Sequence, residues 1–326
     1  MLIVRFLVIT YCALLAQASC YRGYSSEFSF NAGGRIHADW IGNLADGTFL
    51  TSLSIPGTHD TMTYDIHDQV WQCQNRNLSV QLNPGLRYFD IRGRLVNNLL
   101  DIYHSTTYTG YSYEDVLLDF FDFLTAHPSE IIVMRLKQES TSINTTISYE
   151  DAFLHYLWNN SATATRAQKH LHLPPEGQAY APLPTLGELR GKIVLLQNFP
   201  SNVPNCYGIG WESSDMILQD MWEIENVDSL WRKWDAIEAS LETTALSAEN
   251  NSALFLSYLS ASVGLLPIEA LNHTIMGMND RTGQWLTDVA QGGHASYGKT
   301  GIVIADSPGQ DLMDAVLDRN APFYTS

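Results

Sequence analysis

Basic residues are few in this sequence: 18 Lys and Arg stand against 35 Asp and Glu, for a formal net charge of -17. A chain so acidic repels nucleic acid and anionic membrane surfaces near neutral pH, so polyanion binding through bulk charge is excluded. Cysteine is scarce too. Of the four, Cys12 lies in the first apolar stretch, and Cys20, Cys73 and Cys206 have no spacing that resembles a zinc site. Their odd number allows at most one internal disulfide. Beyond the N-terminus no apolar run is long enough to span a bilayer, and no basic amphipathic helix could lie on one. Pro-rich, Gly/Ser-rich and single-sign charged tracts are missing as well, so no linker divides the 326 residues and one domain is expected.

The N-terminus has a purpose of its own. Arg5 gives a positive start, residues 6–15 are mostly apolar, and Ala16-Gln17-Ala18 offers a small-residue cleavage site. The pattern predicts an export signal over residues 1–18, a mature domain over 19–326 and a secreted protein. Sequons at Asn77, Asn144, Asn159, Asn250 and Asn272 fit a eukaryotic secretory route.

Along the chain, strand-like runs alternate with helical periodicity. Strands are expected at 49–55, 87–94, 99–103, 130–137, 192–196, 254–258 and 301–304, and helices at 113–126 and 230–241. Near-continuous apolar strands separated by helices predict a parallel β/α barrel of the TIM type, with its site at the C-terminal face of the strands. A doubly wound open sheet would read similarly, but its glycine-rich first loop is missing after residue 55.

Reactive side chains collect at those strand ends. His59 and Asp60 follow the first strand, Asp90 and Arg92 end the second, and His104 ends the third. One imidazole can accept a proton near neutral pH while another donates one. A guanidinium between them would match two phosphate oxygens with its planar fork. Phosphoryl transfer to a neighbouring hydroxyl requires this set, although each histidine alone could be structural and Asp90 with Arg92 could be a buried ion pair.

The segments Leu53-Ser54-Ile55-Pro56-Gly57-Thr58-His59-Asp60, Gly85-Leu86-Arg87-Tyr88-Phe89-Asp90-Ile91-Arg92 and Tyr103-His104-Ser105 resemble the catalytic X region of phosphatidylinositol-specific phospholipases C, nearest to the bacterial type. The likeness continues through 131–137, 191–196 and Ile304-Ala305-Asp306. It implies cleavage of phosphatidylinositol, or of glycosylated inositol lipids, to diacylglycerol and a cyclic inositol phosphate. It further implies His59 as general base, His104 as general acid and Arg92 on the phosphate. Asp306 would orient His59, Asp60 would support the His104 side, Asp90 would fix Arg92, and Lys137 would lie near the head group. With a permanent cation at the strand end where calcium-dependent members place acidic ligands, no metal and no cofactor are expected.

One departure bears on the head group. Where bacterial relatives carry an arginine after the strand at 192–196, this chain has Gln197 and Asn198. Asp220 is a candidate hydroxyl acceptor, or else a helix N-terminal carboxylate before 221–225. Trp222, Trp231 and Trp234 fit an aromatic rim for lipid or, at near-helical spacing, the core. His37, His67, His127, His155, His170, His172, His273 and His294 are read as structural. The expected partner is a phosphoinositide at a membrane surface or a soluble inositol phosphodiester, met by a monomer. Two other readings keep the barrel: a metal-dependent phosphodiesterase acting on a different head group, and a catalytically silent lipid- or sugar-binding protein.

Overall fold

In the computed structural model the described residues are 25–32, 34–68, 70–175, 184–248, 252–262, 276–290, 292 and 297–325. The expected export signal, Cys20, Asn250, Asn272, His273 and His294 lie outside them. The strands in chain order are β1 (Ile55–Thr58), β2 (Tyr88–Val96), β3 (Leu99–His104), β4 (Thr107–Ser112), β5 (Ile132–Gln138), β6 (Ile193–Asn198), β7 (Ile209–Gly210), β8 (Met216–Gln219), β9 (Leu254–Tyr258) and β10 (Ile302–Ala305). Eight of them run parallel in the order β7-β6-β5-β2-β1-β10-β9-β8, a nearly closed barrel with β7 and β8 at its ends. The barrel expected from the alternation of strands and helices is therefore the fold.

Burial on both faces explains why these strands read as continuous apolar runs. Ile55, Tyr88, Val133, Val194, Leu256 and Ile304 form one cluster inside the barrel, joined by Trp40, Ile41, Leu44 and Leu50. Their neighbours point the other way. Phe89, Met134 and Leu195 pack against helices Tyr113–Ala126 and Tyr149–Leu154. Val303 and Ala305 pack against helices Leu230–Leu246, Met278–Ala290 and Gln310–Leu317. Helix Tyr113–Ala126 keeps its expected limits, opened by a Ser112/Asp115 capping box and closed at His127, just before Pro128.

Two expected elements differ. Over 49–55 the chain first makes an isolated bridge from Phe49 to Thr185 and a 3-10 turn, Leu50–Ser52, and pairing within the barrel starts where Ile55 N donates to the Gly301 carbonyl. The strand expected at 99–103 is real, but it is no barrel strand. Asn97 and Asn98 both adopt left-handed φ, 49° and 68°, a two-residue hairpin turn that sends β3 back antiparallel along β2, Val96 opposite Leu99. β3 thus returns His104 to the barrel mouth from above. The tryptophans divide: Trp234 is in the core, while Trp222 and Trp231 are exposed. Cys73 and Cys206 are both free thiols, and the sequons at Asn77, Asn144 and Asn159 are exposed.

At the opposite end of the barrel Arg87 is wholly buried. Its Nε lies 2.8 Å from Glu130 Oε2, and its other nitrogens donate to the carbonyls of Leu82, Leu86 and Ala38. Arg87→Met leaves the Glu130 carboxylate buried without its cation, so urea unfolding should show a loss of about 3–5 kcal/mol. Turnover per folded molecule should stay unchanged, because this end of the barrel lies away from the C-terminal face that carries the candidate site.

Candidate active site at the mouth of the barrel

Alternation carries the core pattern into the site. Every second strand residue points into the barrel, so Ile55 and Gly57 lead to His59, Tyr88 leads to Asp90 and Arg92, and Ile304 leads to Asp306. On β5 the same parity runs from Val133 to Arg135 and Lys137. Gly57 is obligatory in this packing, since a Cβ there would stand 2.6 Å from Tyr88 Cβ.

The histidines meet across one carboxylate. Nε2 of His59 and Nε2 of His104 each lie 3.4 Å from Asp60 Oδ2, and the ring centroids are 6.4 Å apart. The other nitrogens are held from behind: His59 Nδ1 lies 2.8 Å from Asp306 Oδ1, and His104 Nδ1 lies 3.0 Å from the Trp71 carbonyl. Both backing groups are acceptors, so each ring keeps its proton on Nδ1 and turns Nε2 toward the cavity. Burial, the largest influence, and the Arg92 charge disfavour the His59 imidazolium, but the Asp306 and Asp60 carboxylates together outweigh them and hold the pKa above the ordinary 6.5.

Arg92 completes the cluster. Nε and Nη2 donate to Asp90 Oδ2 at 3.1 and 2.9 Å, and Nη1 approaches Asp60 Oδ2 to 2.8 Å as an ion pair. Burial works against the Asp90 carboxylate, yet Arg92 and Arg135 together hold its pKa far below the usual range. Asp60 Oδ2, although beside a cation, receives no aligned hydrogen bond in this buried position. Lys137 Nζ lies 2.7 Å from Glu139 Oε2 at the same mouth. Asp220 stands one residue past β8 at the C-terminal face, with no helix after it. Among the described residues its carboxylate makes no hydrogen bond or ion pair with the histidine cluster.

The backbone is forced where these side chains leave it. Asp60, Ser105 and Ser307, each immediately after His59, His104 or Asp306, have φ of 40°, 55° and 38°. L-residues resist that region, and its use at three parallel positions marks conformations imposed by the surroundings.

Several site residues escape the expected set. Arg135 is buried inside the barrel, donating to Asp90 Oδ1, to the Tyr258 hydroxyl and to Asn198 Oδ1, with its guanidinium 3.7 Å from the centre of the Trp211 ring. The guanidinium absent at Asn198 is thereby present one strand away. Glu139 Oε1 accepts from Ser105 N and fixes the turn after His104. Tyr258 packs edge-on against His59. Lys233, on helix Leu230–Leu246, is fully buried and donates to Gln219 Oε1; desolvation pushes its pKa down to about 7, against the Asp220 and Asp306 carboxylates. For metal, the described residues offer one His/Cys/Asp/Glu group with ligand atoms within 4.8 Å of one another: His59, Asp60 and Cys73.

Comparison with known proteins bears on the family and the fold. Residues 53–198 match the family model described as phosphatidylinositol-specific phospholipase C, X domain. A 1-phosphatidylinositol phosphodiesterase of Listeria monocytogenes is 29% identical over 294 residues, covering 86% of this chain and 84% of that protein. One from Staphylococcus aureus is 26% identical over 327 residues, covering 91% and 98%. The solved structure of the phosphatidylinositol-specific phospholipase C from Listeria monocytogenes gives a TM-score of 0.67 at 28% identity, covering 87% of this chain and 99% of that one.

Proposed function

We propose that the chain is a member of the phosphatidylinositol-specific phospholipase C X-domain family and that it cleaves phosphatidylinositol by proton transfer between His59 and His104, without a metal cofactor. The observation that carries this reading is the shared geometry at Asp60: two imidazole Nε2 atoms face one carboxylate oxygen, with the Arg92 fork beside it. His59 Nε2 takes the proton of the inositol 2-hydroxyl as its oxygen bonds to phosphorus. The bond from phosphorus to the diacylglycerol oxygen breaks, and protonated His104 delivers its Nε2 proton to that oxygen. Arg92 stabilises charge on the phosphoryl oxygens, and Lys137 and Asp220 meet the head group. The products are diacylglycerol and a cyclic inositol phosphate.

Export by residues 1–18 would give a secreted enzyme that works as a monomer. Its net negative charge gives no attraction to an anionic bilayer, and the exposed Met221, Trp222 and Trp231 offer apolar surface for docking instead. Phosphorus NMR with phosphatidylinositol micelles and excess chelator tests the proposal. A five-membered cyclic phosphate resonance is expected, and folded protein that produces none refutes it.

The acidic limb of kcat/KM should fall above pH 6.5, because the base works only when deprotonated and Asp306 raises its pKa. Asp306→Asn removes that charge, so the limb should move to lower pH while the rate on the plateau drops. A limb left in place would remove Asp306 from the relay.

A further inference from the structure

One ionisable group at the mouth takes no part in the proton relay. Cys73 is buried on the segment after β1, with Sγ 3.9 Å from His104 Nδ1. Its backbone is fixed on both sides: its N–H donates to Thr63 Oγ1, and its carbonyl accepts from the N–H and the hydroxyl of Ser307. The thiol is thus locked to the same segment that carries Asp306.

We propose that Cys73 Sγ, His59 Nε2 and Asp60 Oδ2 form an inhibitory site for a soft divalent cation, Zn2+ or Cd2+, which stops turnover by occupying the nitrogen that acts as base. One ligand atom from each of His59, Asp60 and Cys73 already lies within 4.8 Å of the others, and His59 Nε2 stands 3.4 Å from Asp60 Oδ2. Tetrahedral zinc with a thiolate, an imidazole and a carboxylate needs neighbouring ligand atoms about 3.5 Å apart, so closing the site takes only small side-chain movements. Two further observations point to a cation. Asp60 Oδ2 is buried and lacks an aligned hydrogen bond, and Asp306 behind His59 supplies the carboxylate–histidine backing that orients imidazole ligands of metals.

The surrounding charge permits this. The carboxylates of Asp90 and Asp306 act on the site along with the Arg92 guanidinium. When Asp60 turns to the metal, Arg92 keeps its two bonds to Asp90. Binding releases the thiol proton to solvent and leaves the fourth position for water. A hard cation gains little here, since it would have one carboxylate oxygen and a repelling guanidinium, so Ca2+ and Mg2+ should not inhibit.

The inhibitory arm rests on the function proposed above, but binding can be read without turnover. Titrating the full-length protein with Cd2+ should produce a thiolate-to-metal charge-transfer band that saturates at one equivalent. The band should persist in Cys206→Ser and vanish in Cys73→Ser and Cys73→Ala. In phosphatidylinositol assays those two variants should keep basal turnover and need a Zn2+ concentration more than about 10-fold higher for equal inhibition. A folded wild-type protein with no Cys73-dependent band overturns the site. Equal Zn2+ sensitivity of wild type and both Cys73 variants overturns the inhibition. Should no preparation turn over phosphatidylinositol, the enzymatic reading fails and the Cd2+ titration still decides the site.

Discussion

His59→Ala should lower kcat on phosphatidylinositol by about 10^2–10^4-fold, the usual share of a positioned acid or base. His104→Ala should lose a similar factor, but the two defects separate when the leaving group changes. An aryl phosphodiester of inositol expels a phenolate that needs no proton, so His104→Ala should recover on it and His59→Ala should not. Parallel rates on both substrates would exclude the assignment of acid to His104 and base to His59. Stability gives an independent readout. His59 has a raised folded pKa, so the stabilisation from its pairing with Asp306 is complete below pH 6.5 and is lost as pH rises through the folded value. The difference in unfolding free energy between wild type and His59→Ala should therefore shrink on going from mildly acidic to alkaline solution.

Arg92→Ala should be damaging twice over. The phosphoryl oxygens lose their cation, which costs about 10^2–10^3-fold in kcat, and the Asp60 and Asp90 carboxylates keep their charge in a buried site without their main partner. Removing one member of such a cluster destabilises by about 3–5 kcal/mol. Arg92→Lys separates the effects, because an ammonium keeps the charge but cannot reproduce the fork that meets Asp90 and Asp60 together. Its thermal midpoint should lie between those of Arg92→Ala and wild type, with kcat still far below wild type. An Arg92→Lys enzyme with full activity would show that only charge matters at this position.

Much of this site was legible because barrel strands write it in a two-residue code. Once Ile55, Tyr88 and Ile304 are inside, His59, Asp90, Arg92 and Asp306 follow by parity. The same rule applied to Val133 reaches Arg135, and applied to Leu256 it reaches Tyr258. Continued one residue past β5, it also reaches Glu139, but Trp71 and Cys73 obey no such rule. They arrive on connecting segments whose path depends on tertiary packing, and Lys233 comes from a helix outside the barrel. The direction of β3 was also written locally, in Asn97-Asn98, but an apolar run ending in a histidine reads alike for a barrel strand and for the return limb of a hairpin.

The left-handed residues behind His59, His104 and Asp306 set how far the enzyme can be hardened against heat. Each such conformation in a non-glycine residue costs about 1–2 kcal/mol, a debit that glycine would remove. Ser105→Gly keeps the N–H that binds Glu139 and should raise the melting temperature with little loss of rate. At Asp60 the same relief deletes the carboxylate between the two imidazoles. Thermostable variants should therefore accumulate changes at Ser105 and not at Asp60, where losing the carboxylate buried against Arg92 costs about 3–5 kcal/mol, more than the backbone relief returns.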